Sequence, residues 1–354
     1  MGISYGISLF FEMIMNYDIN ALTFALGKPR SCGIFKASPE DFRVGEHLGF
    51  ELTGSGEHQC LYIEKQGLNT EELVRQLSTV LSKPTRLISY AGLKDRQAVT
   101  TQWISVHCPG ETIEGAASLK GDKWRVVKAK RHTKKIRHGA VKNNRFEMII
   151  RKVSDTQELE DRLFKIKETG VPNYFGPQRF GIQGQNIVKA ENMLLKKTRV
   201  KDRFLRGMYF SAARSFLFNK ILSARVALGN WQEAIPGDVM QLAGSHSFFH
   251  SEVVDALITQ RIKEKDISPA SILWGKQKLL VTADALSIQE EALMGLEHFC
   301  EALLLHDLTR GYRAHKLDVE QLSWEWDDNQ LKLYFTLTTG GYATSVLREL
   351  IISP

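Results

Sequence analysis

The chain has 354 residues, 43% hydrophobic and 25% charged, which excludes a disordered or fibrous protein. At about 150 residues per domain, that length accommodates about two domains and a large core. Lys and Arg total 47 against 40 Asp and Glu, a net charge of +7 with a pI near 9.1, so a polyanionic partner is favoured.

At the N-terminus, Ile7, Leu9, Phe10 and Phe11 form a short apolar cluster. No Lys or Arg precedes it, Glu12 interrupts it and no small-residue cleavage site follows, so it does not read as a signal peptide. Residues 1–18 read as a dispensable extension, with Met13 or Met15 as the true start. Asn69 and Glu72 make a capping box ahead of Leu73, Leu77 and Val80 at helical spacing. Trp103–His107 and Phe146–Ile150 alternate like strands. Ser154 or Asp155 caps a helix that places Leu159, Leu163 and Ile166 on one face, and Gly170 and Pro172 stop it. Asn173–Gly184 is a loop rich in Gly, aromatics and Gln. From about Asn186 to Leu305 helical patterns dominate, as in the stripe Ala213, Leu217, Ile221. A strand returns at Leu331–Leu337, then a glycine turn and an apolar helix from about Ala343 to Ile351. This order suggests one α+β domain interrupted by a second.

No stretch approaches the ~20 apolar residues of a membrane span, so no membrane partner is expected. Cys32, Cys60, Cys108 and Cys300 lie far apart with no C-x-x-C pair, which points away from disulfides and zinc and towards a reducing cytoplasm. Dinucleotide, P-loop and nucleophile-elbow motifs are missing. His246 and His250 stand four apart without the Glu of a zinc-protease motif, and read as an ordinary loop. Lys128, Lys130, Arg131, Lys134, Lys135, Arg137 and Lys142 crowd together with no acid among them and lead into Asn143-Asn144-Arg145-Phe146. A solvated face is the plain reading; the functional one is phosphate neutralisation beside a stacking aromatic. In Gly92-Leu93-Lys94-Asp95-Arg96-Gln97-Ala98-Val99-Thr100 an acid sits between two cations. That is either a surface ion pair or a carboxylate whose pKa the cations lower, leaving it nucleophilic or basic at neutral pH.

The stretch Gly92–Thr100, followed by Gln102-Trp103, resembles the signature around the catalytic aspartate of the TruD family of tRNA pseudouridine synthases. Four more segments agree in order: Lys36–Phe42, Gly139–Phe146, Pro172–Gly181 and Gly341–Leu350. The resemblance runs from about Leu22 to the end. It implies conversion of uridine to pseudouridine in tRNA, most often at position 13 of glutamate tRNA, with no metal or nucleotide cofactor. Asp95 matches the catalytic aspartate, acting either as a nucleophile at C1′ or as a base on the 2′ proton. Phe42, Asn144, Phe146, Tyr342 and Lys36 match substrate-contacting or nearby positions, with Lys94 and Arg96 competing with Lys36 as partners for Asp95. The target uridine is expected to be flipped out of its stack. The implied fold is α+β: a catalytic domain with a mixed, largely antiparallel sheet (residues 19–170 and 306–354) interrupted by an inserted α/β TRUD domain (171–305), with tRNA in a basic cleft between them. A cytoplasmic monomer is expected. Two other readings are an RNA-binding protein without catalysis and a hydrolase that pairs Asp95 with a second acid such as Glu40. The hydrolase requires two carboxylates at a defined separation.

Overall fold

The computed structural model describes residues 17–276 and 278–352. Met13 and Met15, and all of the expected extension except Tyr17 and Asp18, lie outside the described residues. The chain divides into two compact units. One comprises Pro29–Thr169, Asp318–Gly341 and the described residues from Leu350; the other comprises the described residues up to Lys28, Gly170–Leu317 and Tyr342–Glu349.

The first unit begins with β1 (Ile34–Phe35), β2 (Phe42–Leu48) and β3 (His58–Gln66), then α1 (Thr70–Val80). It continues through β4 (Ile88–Tyr90), β5 (Val99–His107), β6 (Trp124–His132), β7 (Val141–Arg151) and α2 (Thr156–Thr169). The capping box forms reciprocally: Asn69 Oδ1 accepts from Glu72 N at 2.8 Å, and Glu72 Oε2 accepts from Asn69 N at 3.0 Å. The helix it starts buries Leu73, Val74 and Leu77 against Leu61, Ile63, Ile104 and Val106 of β3 and β5. At α2 the cap is Asp155, whose Oδ1 accepts from Glu158 N at 2.9 Å, while Ser154 Oγ accepts from Cys32 N at 2.8 Å.

The second unit holds β8 (Val171–Pro172), α3 (Gln185–Leu194), α4 (Arg203–Ala227), β9 (Asp238–Leu242), β10 (Phe248–Ser251), α5 (Ala256–Lys263) and β11 (Ile267–Leu273). It goes on through α6 (Ala283–Ala292), α7 (Glu297–Leu304), β12 (Gly311–Ala314) and β13 (Lys316–Leu317). The stripe Ala213, Leu217, Ile221 lies on α4 and packs in one core with Val239, Ala270 and Ile272. The helical pattern expected up to Leu305 is interrupted by an antiparallel sheet in the order β10-β9-β11-β12. These strands carry no period-two signal: β9 buries Asp238, Val239 and Met240 in succession, and β11 contains Pro269.

Strands β14 (Glu320–Asp327) and β15 (Gln330–Thr338) return to the first unit, ahead of α8 (Ala343–Leu350). The large sheet has the order β14-β15-β7-β2-β5-β3-β6, with β1 paired to β7 and β4 to β5. Every pairing in it is antiparallel except β2 with β5. The architecture is therefore α+β with largely antiparallel sheets. In register, Val44 lies opposite Phe146 on one side and Thr100 on the other, Glu46 opposite Asn144, and Phe335 opposite Phe146. Among the described residues no helix is long and apolar enough to cross a membrane.

Candidate active site

Residues directly opposed in a sheet project to the same face, so Phe42, Val44 and Glu46 of β2 share a face with Met148, Phe146 and Asn144 of β7. The Phe42 and Phe146 rings are 6.1 Å apart, and Phe146 stacks on Phe335 at 5.1 Å. Lys36 follows β1 with φ at 57°, the left-handed region that costs a non-glycine residue about 1–2 kcal/mol. In that conformation its ammonium lies 4.2 Å from the Phe42 ring centre and 2.7 Å from Asp95 Oδ2.

Asp95 occupies the loop between β4 and β5, and four consecutive residues there are tied down. Thr70 Oγ1 accepts from Lys94 N at 2.9 Å, and Asp95 O accepts from Lys65 Nζ at 2.8 Å. Arg96 Nε donates to Gly67 O at 3.1 Å, and Gln97 N donates to Asp95 Oδ1 at 3.1 Å. Lys65 is 1% exposed and also donates to Leu68 O at 2.6 Å, and its burial pulls the amine down to about 8. Burial of the Asp95 carboxyl acts to raise its pKa. The Lys36 hydrogen bond and charge, the Gln97 N–H and the Lys65 charge outweigh it, leaving the group below its ordinary value. A half-buried, ionised carboxylate thus stands on a fixed loop, joined through the Lys36 ammonium to the Phe42 ring.

The three cations weighed as partners for the Asp95 carboxylate have separate duties. Lys36 takes the carboxylate, Arg96 holds Gly67, and Lys94 Nζ lies 3.0 Å from Glu46 Oε1 and 2.8 Å from Asn144 Oδ1. The structure therefore sets Lys36 against both Phe42 and Asp95, Phe146 beside Phe42, and Asn144 against Lys94, the neighbour of Asp95. Asn144 lies within β7, since that strand starts at Val141 rather than after the asparagines. Tyr342 belongs to the other unit, where Arg179 donates to its hydroxyl from Nη2 at 2.8 Å and Nε at 3.1 Å. Phe175 meets the Tyr342 ring edge-on at 5.9 Å, and the Arg313 guanidinium, which burial pulls down to about 10, lies 4.1 Å over Phe175.

Sequence reasoning missed Glu46 and Lys65. Both stand on the buried phase of an alternating strand, after Phe42 and Val44 in β2 and after Leu61 and Ile63 in β3. A charge in the apolar phase is the signal that could have found them. In the basic run Lys128, Lys130, Lys134, Lys135, Arg137 and Lys142 are exposed. Arg131 is committed elsewhere, donating to Cys108 O at 3.3 Å and Glu111 O at 3.1 Å. Glu40, the second acid weighed for hydrolysis, accepts from Gln66 Nε2. His250 Nε2 lies 3.0 Å from Thr282 Oγ1, and among the described residues no three His, Cys, Asp or Glu side chains are grouped to hold a metal ion.

Comparison with known proteins adds an independent observation. The family model described as tRNA pseudouridine synthase D (TruD) matches residues 18–201 and 185–350. The tRNA pseudouridine synthase D of Legionella pneumophila (strain Lens) is 48% identical over 328 residues, covering 92% of this chain and 97% of its own. That of Pseudoalteromonas atlantica is 39% identical over 339 residues, covering 94% and 97%. A crystal structure from Methanosarcina mazei, described as a tRNA pseudouridine synthase D, superposes with a TM-score of 0.72 over 96% of this chain and 98% of its own. At 20% identity that likeness speaks for the fold alone.

Proposed function

Because this chain belongs to the tRNA pseudouridine synthase D family, we propose that it isomerises uridine to pseudouridine in tRNA, at position 13, with glutamate tRNA as the typical substrate. Asp95 is the catalytic residue, and Lys36, Phe42, Asn144, Phe146 and Tyr342 bind the flipped-out uridine. The observation that supports this most is the Asp95 carboxylate, ion-paired to Lys36 at 2.7 Å and set on a loop tied at four successive residues.

The chemistry needs a carboxylate and no redox partner. In one route an Asp95 oxygen attacks ribose C1′, and uracil leaves with the N1–C1′ electron pair. The base turns in place, C5 attacks C1′, the carboxylate departs, and the C5 proton is lost as N1 gains one. In the other route Asp95 removes the 2′ proton and the glycosidic bond breaks by elimination, uracil leaving with the N1–C1′ pair; C5 then adds to C1′, the 2′ proton returns, and the C5 proton is lost as N1 gains one. Both routes require the carboxylate ionised beforehand, which Lys36 secures, and both require the detached base to be confined beside apolar walls such as the Phe42 and Phe146 rings. The basic residues on β6 and the loop after it neutralise RNA phosphates. Residues 171–305 act as the inserted TRUD domain, and the enzyme works as a cytoplasmic monomer without metal or cofactor.

The test is Asp95→Asn assayed on a tRNA transcript by chemical labelling of pseudouridine and sequencing. Modification is expected to vanish while tRNA affinity stays within about threefold of wild type, since phosphate contacts dominate that affinity. Undiminished modification by the variant overturns the assignment. Release of free uracil by the wild type overturns isomerisation in favour of hydrolysis.

A further inference from the structure

An asparagine against a substrate can present either its carbonyl oxygen or its NH2, and the charges around Asn144 decide between them. Lys94 Nζ lies 2.8 Å from Asn144 Oδ1. An ammonium has only donors, so the amide oxygen must be the atom that faces it. Lys94 is itself held: its nitrogen is 3.0 Å from Glu46 Oε1, and the Glu46 side chain is 1% exposed. The other carboxylate oxygen, Oε2, accepts from Trp103 N at 2.9 Å. Moving Lys94 away would strand a buried charge, so the ammonium stays and the carboxamide cannot turn over. Asn144 Nδ2 has no hydrogen-bond partner among the described residues and is not a sealed atom. It stands on the same face of β7 as Phe146, two residues along.

We propose that Glu46 and Lys94 are positioning residues that fix Asn144 with its NH2 towards the substrate, so that Asn144 donates to the C4 carbonyl of the target uracil and selects uracil over cytosine. This rests on the pseudouridine synthase reading above. Uracil carries an acceptor oxygen at C4, whereas cytosine carries an amino donor there. A carboxamide free to rotate would satisfy either base, whereas one locked by a cation meets cytosine donor to donor. Such a clash leaves two desolvated donors unpaired, and a site built on hydrogen bonds discriminates most strongly in this way.

The experiment compares kcat/KM on tRNA transcripts carrying uridine, 4-thiouridine or 2-thiouridine at the modified position. Sulfur accepts hydrogen bonds poorly, so wild type should lose about tenfold with 4-thiouridine and little with 2-thiouridine. Lys94→Met should be slower on uridine, with its 4-thio penalty shrunk to about twofold, whereas Lys94→Arg, which keeps a donor, should retain the full penalty. Should Lys94→Met not fold, Asn144→Asp serves instead; it removes the NH2 and should likewise lose the penalty. A tenfold penalty that persists in Lys94→Met or Asn144→Asp overturns the proposal, as does a wild-type penalty confined to 2-thiouridine. Absence of pseudouridine from the uridine transcript with wild type overturns the underlying activity as well, which separates the two failures.

Discussion

The most direct perturbation of the site is Lys36→Met. Methionine keeps an unbranched chain against the Phe42 ring and removes the cation 2.7 Å from Asp95 Oδ2. Two opposite charges about 4 Å apart attract by about 1 kcal/mol in water and about 4 kcal/mol at an effective dielectric constant of 20. The Lys36 and Asp95 side chains are 25% and 31% exposed, so the pair lies between these limits, at about 2 kcal/mol. Its loss removes the strongest influence that holds the Asp95 pKa down, so that pKa must rise. Burial already acts in that direction, and only the Gln97 N–H and the Lys65 charge remain to oppose it. On the proposed mechanism the carboxylate works ionised, so activity is present above its pKa and disappears as pH falls through it. Removal of Lys36 must therefore move the acid limb of the kcat/KM profile to higher pH. Initial rates of pseudouridine formation across the acid range read this directly, with Lys36→Arg as the control that keeps the charge. An acid limb that stays in place, or moves to lower pH, in Lys36→Met would refute the ion pair as the source of the ionised state.

Two further outcomes follow from the surrounding structure. Lys65 is protonated at an ordinary lysine value in the unfolded chain but only up to about 8 when buried, so the unfolded state binds more protons above that pH and stability should rise from about pH 8 to about pH 10. Lys65→Met should abolish that rise and, by orphaning carbonyls of Leu68 and Asp95, cost about 2–4 kcal/mol at neutral pH; denaturant titrations at the two pH values check both. Combined Ala substitution of Lys128, Lys130, Lys134 and Lys135 should flatten the salt dependence of tRNA binding by up to about one slope unit per lost phosphate contact. Arg131→Ala alone should lower stability and leave the slope unchanged, because its guanidinium serves Cys108 and Glu111; an unaltered slope in the quadruple variant places the run away from RNA.

What could be read from the sequence was whatever a short window contains. The Asn69–Glu72 box, the Leu159–Ile166 face and the alternation around Phe146 are local, and each reappears in the structure. The strands at Asp238–Leu242 and Ile267–Leu273 escaped notice because a buried strand of five to seven residues shows no alternation to distinguish it from a helix turn. At the site, motif resemblance pointed to Asp95 but could not rank its three candidate cations, since Lys36, Lys94 and Arg96 differ only in what else they can reach. Ranking them required knowing that β2 lies against β7 and brings Glu46 opposite Asn144, a pairing between segments about a hundred residues apart. Glu46 and Lys65 differ, because the alternation of β2 and β3 already sets each charge in the apolar phase; what a short window lacks is the distant partner each meets there.

The strand order has a consequence for biosynthesis. Phe146 rests on Phe335, and β7 is flanked by β15, which the ribosome makes only after residues 170–317 have emerged. A nascent chain that has completed Arg151 therefore carries β7 with one edge bare for the whole translation of the second unit, exposed to mispairing. A polypeptide halted before Gln330 is expected to be insoluble rather than merely inactive.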